Sequence, residues 1–132
     1  MEQLTKMSQS DLMLDIAMSF HKNHFLKNKS TIRENKKAEI IISEVIEYYQ
    51  VKRYDLKSSS RVRTIVEPRN VCIYLLRHNT LLSLKAIGGI FGGRDHSTVL
   101  HSIASVNTLK EVYPDFENKF KEVELKVLKK LK

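Results

Sequence analysis

Tryptophan is absent from this 132-residue chain, cysteine occurs once, proline twice and glycine four times. Each scarcity excludes something. The lone Cys72 has no partner for an internal disulfide, which fits a reducing, intracellular setting. No apolar run approaches the roughly 18 residues of a membrane span. The first apolar stretch, Leu12 to Phe20, is broken by Asp15 and lacks a basic head, so it does not read as a signal peptide. No Gly-x-x-x-x-Gly-Lys phosphate loop occurs, and the length suits a single domain rather than a large multidomain enzyme. Few glycines and prolines leave long uninterrupted stretches, and no convincing two-residue alternation appears, so helices are expected.

Charge is plentiful but uneven. The net charge is +8. Met1 to Val51 is neutral, whereas Lys52 to Ser105 carries nine Lys and Arg against three Asp and Glu. All the arginines except Arg33 lie in that central window. Arginine forks onto phosphates and base edges, so the window points to a polyanionic partner.

Six helices are expected. Ser8 or Ser10 caps the first, with Leu12, Met13, Ile16 and Phe20 on one face. Lys27 to Lys37 is either a linker or the exposed start of the second helix, which shows Ala38, Ile41, Ile42, Val45, Ile46 and Tyr49 at helical steps and ends near Gln50. Val51 to Leu56 reads as a short turn, and Lys57 to Thr64 as an exposed basic loop. Pro68 suits the first turn of a third helix, closed by His78 and Asn79. Ser83 caps a fourth helix through Phe91, stopped by Gly92-Gly93, and Asp95 caps a fifth with Val99, Ile103, Val106 and Leu109 inward. Pro114 and Asp115 open the last, with Phe116, Phe120, Val123, Val127 and Leu131 inward and a solvated Lys-rich outer face. Cys72 is expected in the core.

An apolar helix followed by a short helix, a tight turn and a longer helix is a helix-turn-helix arrangement. Gly88 supports it: a mid-helix glycine costs about 1 kcal/mol against alanine, and a helix keeps one where another must cross closely. The first turn of the fifth helix holds Asp95, His96, Ser97 and Thr98, with His101 and Ser105 continuing the same side. Its free N–H groups favour phosphate and its short polar side chains reach base edges.

The stretch Ile87-Gly88-Gly89-Ile90-Phe91-Gly92-Gly93-Arg94-Asp95-His96-Ser97-Thr98-Val99-Leu100-His101 resembles the signature of the bacterial DnaA family, in its C-terminal duplex-DNA-binding domain. Glu47-Tyr48-Tyr49, Val51, Asp55-Leu56-Lys57, Arg61, Arg63, Pro68-Arg69 and Tyr74-Leu75-Leu76-Arg77 agree in order and spacing, so the resemblance runs from about Ala38 to Leu109. It implies an all-α, Trp-repressor-like helix-turn-helix domain over 38–132, preceded by an N-terminal helical extension over 1–37. It also implies sequence-specific binding of double-stranded DNA at a DnaA-box-like site, in replication control or transcription regulation.

Residue by residue, the resemblance places Arg61 in the minor groove, and Arg94, Asp95, His96, Ser97 and Thr98 at the major groove. Arg63 and Arg69 fall at backbone-contacting positions, and Lys85 and His101 join the DNA-binding set. A flexible basic arm in one groove and a helix N-terminus in the other make physical sense together. The departures are Glu67 where Arg is common, Lys85 where Pro is common, Ser97 for Thr, and Ser105 for a basic residue. They bear on the target sequence. Glu67 would repel phosphate if it faced DNA.

Two rival readings stand beside this one. One is a non-enzymatic protein-interaction module that keeps the fold, though such a module has no need of both Arg61 and the Asp95–Thr98 turn. The other is a nuclease using Asp95, His96 and His101, but the two histidines are poorly aligned on one helix face and no acidic pair accompanies them. No catalytic residue, metal, cofactor or bound ATP is expected. Residues 1–37, which hold the expected first apolar helix, are the expected element for a protein partner or self-association. The expected location is cytoplasmic, on the nucleoid, with no membrane contact.

Overall fold

The structure, a computed structural model, describes residues 31–132; the expected first helix and most of the 1–37 extension lie outside them. Among the described residues there is no strand, and the fold is all-helical. The helices are α1 (31–49), α2 (Arg53–Lys57), α3 (Arg63–Asn79), α4 (Leu84–Ile90), α5 (His96–Val112) and α6 (Pro114–Leu131). One compact unit runs from Glu34 to Lys132 and holds α1 from Glu34 onward together with α2 to α6.

The polar stretch before Ala38 is already helical from residue 31. Glu34 explains why the core reaches that far. Its carboxylate is buried and accepts from the Leu81 backbone N–H at 2.8 Å and from Lys37 Nζ at 3.2 Å. At the other end, Gln50 takes a positive φ of 54° and the Val51 N–H donates back to the Ile46 carbonyl at 3.3 Å. That six-to-one closure, with Ile46 and Val51 both packed on the core, stops α1 where its periodicity ends.

In place of the expected turn over Val51–Leu56 there is a five-residue helix, Arg53–Lys57, which also takes in the first residue of the expected loop. Asp55 Oδ2 accepts from the Lys52 N–H at 3.2 Å, and Leu56 is fully buried. The third helix departs further from expectation. It starts at Arg63, not at Pro68, which lies inside it. The Ile65 and Val66 N–H groups both donate to the Val62 carbonyl at 2.9 Å, and Val62 offers no side-chain cap, so nothing in the local composition marks this start.

The remaining boundaries follow their caps. Ser83 Oγ accepts from the Ala86 N–H at 3.0 Å and Asp95 Oδ1 from the Thr98 N–H at 2.8 Å. Pro114 stands at the start of α6, with Asp115 and Glu117 in its first turn.

Helix α3 is central. Val71, Cys72, Ile73, Leu75 and Leu76 are all fully buried. Ile41, Val45, Val99, Val106, Phe120, Val123 and Val127 close around them. Ile103 and Leu109, expected inward on α5, are only partly buried, and Ser102 is buried instead. Polar pins attach α6 to its neighbours: Lys119–Glu67 at 3.1 Å, Lys130–Glu44 at 3.2 Å and Tyr48 Oη donating to Glu122 at 2.9 Å. The lysines of α6 are therefore partly engaged and not uniformly solvated. Burial pushes the Cys72 thiol far above its ordinary range. Cys72 should stay unmodified by an aromatic disulfide reagent in the native protein and react in denaturant; fast native labelling would contradict its placement.

Candidate nucleic-acid interface

Helices α4 and α5 meet at a turn built from glycines. Gly92 and Gly93 have φ of +85° and +78°, which only glycine adopts cheaply. Gly88 is where the two helices cross. A Cβ there would lie 2.0 Å from the Arg94 carbonyl oxygen. The Gly88 carbonyl in turn accepts from the N–H groups of Phe91, Gly93 and Arg94 at 3.0–3.2 Å. Phe91, fully buried, anchors the turn to the core.

The turn aims the N-terminus of α5 outward. His96, Ser97 and Thr98 are exposed in its first turn, behind the Asp95 cap. The Thr98 N–H, followed by the Thr98 hydroxyl, holds the Asp95 carboxyl below the usual carboxylate range. The cap is thus anionic at neutral pH and occupied by the helix itself.

Beside this helix end lies the 57–61 loop, and between them is an open groove of about 790 Å³. One wall is Lys57 to Arg61; the other is Thr98, His101, Ser102 and Ser105 of α5. Arg69 and Arg94 form part of its lining, so four cations and no carboxylate face it.

The loop is not the flexible arm expected from its composition. Ser58 Oγ donates to the Asp55 carbonyl at 2.6 Å and accepts from the Ser60 N–H at 3.3 Å, while Ser60 Oγ accepts from the Val62 N–H at 3.3 Å. Arg69 lies beneath it, 5% exposed. Its Nε donates to Leu56 O at 2.9 Å and its terminal nitrogens to Ser58 O at 2.9 Å, Ser60 O at 3.1 Å and Asp55 O at 3.4 Å. The expected phosphate contact of Arg69 does not fit this geometry. Because α3 begins at Arg63, Arg69 falls in its second turn, under the loop. Arg94, half-buried, donates to the Phe91 carbonyl and, at 2.9 Å, to Ser58 O.

The groove thus gathers Arg61, Arg69, Arg94, Thr98 and His101 of the expected residues. Asp95, His96 and Ser97 sit at its α5 end without lining it. Arg63 opens α3 and lines separate recesses with Glu67 and Lys119, and Lys85 is exposed on α4. Lys57, Ser58, Ser60, Val66, Asn70 and Ser102 line the groove but were not singled out. Only Lys57, by its charge, carried a signal for it. Glu67 faces α6, paired with Lys119 and beside Tyr49, whose hydroxyl pKa is raised first by burial and then by that carboxylate. Glu67 is not among the groove residues, so its repulsion is directed elsewhere. Among the described residues no cluster of His, Cys, Asp or Glu is arranged to hold a metal ion.

A buried central helix, a glycine turn crossing at Gly88 and an outward helix N-terminus define a helix-turn-helix domain. The family described as "Bacterial dnaA protein helix-turn-helix" matches residues 38–106, and the chain belongs to it. The chromosomal replication initiator protein DnaA of Neisseria meningitidis is 42% identical over 86 residues, covering 65% of this chain and 17% of that protein. The DnaA of Enterococcus faecalis is 43% identical over 83 residues, 63% of this chain and 19% of that one. The chain therefore spans less than a fifth of the length of these relatives. A crystal structure of a DNA replication initiation factor aligns over 93% of this chain and 38% of its own, at 28% identity and a TM-score of 0.74.

Proposed function

We propose that this domain binds double-stranded DNA sequence-specifically, with the N-terminus of α5 in the major groove and Arg61 in the adjacent minor groove. The observation that carries this reading is the groove itself. Four cations and no carboxylate line it, and an exposed polar helix start flanks it. His96, Ser97, Thr98 and His101 are the side chains offered to base edges, and Arg63 and Lys85 to the backbone. The relatives are named as chromosomal replication initiators, so the proposed target is a DnaA-box-like site and the proposed role is control of initiation or of transcription near such sites. Binding would place the protein on the nucleoid in the cytoplasm. No phosphate loop is present in these 132 residues, so binding is proposed to be independent of ATP. On sequence grounds, residues 1–37 are proposed to engage a protein partner or a second copy.

Selection of bound sequences from a random duplex pool tests the reading. Enrichment of one short motif supports it; recovery of unenriched DNA defeats it. On the selected site, neutralising roughly four to six phosphates should make log affinity fall with log salt at a slope of about −4 to −5. A flat response would contradict an electrostatic groove.

A further inference from the structure

The guanidinium groups of Arg69, in α3, and Arg94, in the turn between α4 and α5, meet on one acceptor. Both donate to the Ser58 carbonyl, each at 2.9 Å. Arg69 also bonds Leu56 O and Ser60 O, so its donors span the loop. Arg94 also bonds the Phe91 carbonyl, so it ties the loop to the turn that launches α5. Gly92 closes the same contact: a Cβ there would lie 2.4 Å from Lys57 O. The loop and the helix start are therefore joined through Ser58, across 36 residues of sequence.

We propose that Arg69 and Arg94 are positioning residues that clamp the 57–61 loop onto the helix-turn-helix turn, fixing the distance between Arg61 and the N-terminus of α5. This rests on the DNA-binding reading above and deepens it. Two readers kept at a set spacing engage both grooves of a duplex at a lower entropic cost. A loop free to swing would lose entropy on docking, whereas a clamped one has lost it on folding. The alternative is that Arg94 contacts phosphate or a guanine directly. The structure argues against that as its main role, since its terminal nitrogens are turned onto two carbonyls. Burial, and then the charge of Arg94, push the Arg69 guanidinium below its ordinary pKa, as expected of two like charges held close in a poorly hydrated place.

Lysine separates the two roles. It serves a phosphate as a point charge but has no planar fork to span several carbonyls. The test uses the full chain, the selected duplex and two variants of it. One variant changes the pair whose preference is lost in Arg61→Ala; the other changes a pair read by α5. A well-made base contact discriminates by roughly 5- to 150-fold. Arg94→Lys should cut discrimination at the first pair to within about twofold of Arg61→Ala and keep the second within about twofold of the unsubstituted protein. The double change Arg61→Ala with Arg94→Lys should be no worse at the first pair than Arg61→Ala alone.

In the free protein, Arg69→Lys should speed hydrogen exchange at the Ser60 and Val62 amides by about tenfold or more. Arg94 is half-exposed on a turn, so its variant keeps the test alive should Arg69→Lys fail to fold. Full retention of flank discrimination in Arg94→Lys, equal loss at both pairs, or additivity with Arg61→Ala would overturn the clamp. If the unsubstituted protein discriminates at neither pair, the DNA-binding reading itself falls, and the clamp with it.

Discussion

Gly88→Ala should destabilise the domain by about 3 kcal/mol or more, while Gly89→Ala, one residue on, should stabilise it by about 0.5–1 kcal/mol. The two glycines share a helix and a sequence context, so propensity alone would favour alanine at both. The difference is what the new methyl meets. At Gly88 it would sit 2.0 Å from the Arg94 carbonyl oxygen, a backbone atom with no rotamer to escape into. Relieving that contact moves the turn off the Gly88 carbonyl and loosens three backbone hydrogen bonds, each contributing about 1 kcal/mol. At Gly89 nothing lies within 4 Å. For a domain near 100 residues, 3 kcal/mol corresponds to a fall of roughly 12–24 °C in Tm. Calorimetry or thermal dichroism decides it. Equal Tm changes for the two variants would mean that α4 and α5 do not cross at Gly88.

That contrast also shows which parts of the fold were legible in the sequence. A helix start with a side-chain cap is a local event, and the caps at Ser83 and Asp95 and the proline at Pro114 sit where their residue types imply. Gly88 was legible because a glycine inside a helix calls for a reason. The start of α3 was not. Val62 offers no capping side chain, and Pro68, a good first-turn residue, falls inside the helix. Helix α2 was missed because five residues are too few for periodicity to register.

The site divides in the same way. The outward start of α5 followed from the Asp95 cap and the buried positions behind it. The loop's order did not follow from its residues. Ser58, Ser59 and Ser60 look like a flexible arm, but two of the three hydroxyls brace the backbone. The guanidiniums that hold the loop act on main-chain carbonyls 9 to 36 residues away. A carbonyl acceptor exists at every residue and leaves no mark in the sequence, so an arginine aimed at one cannot be told from an arginine aimed at phosphate. The resemblance puts Arg69 at a backbone-contacting position, and nothing beside it in the sequence marks it as a donor to the loop.

Arg61, like Lys57, is an exposed cation of this group. It is exposed at the rim of the groove, two residues before the start of α3 and beside the clamped carbonyls. Arg61→Ala should therefore weaken binding to the selected duplex by about 1–3 kcal/mol and relax preference at a position flanking the bases read by α5. Two terms add here. A guanidinium in a narrow groove meets an enhanced negative potential, and removing it also removes one cation from the salt-dependent term, so the log–log salt slope should become shallower by about 1. Folding stability should change little, since the side chain is exposed. Lys129, exposed on α6, is the control: its replacement by alanine removes the same charge away from the groove and should alter affinity by much less. The measurement is anisotropy on the selected duplex and on flank-substituted duplexes at several salt concentrations. Equal losses from Arg61→Ala and Lys129→Ala would show that net charge, not the groove, drives binding. Loss at every position alike, with no change confined to the flank, would place Arg61 on the phosphate backbone and remove it from the minor groove.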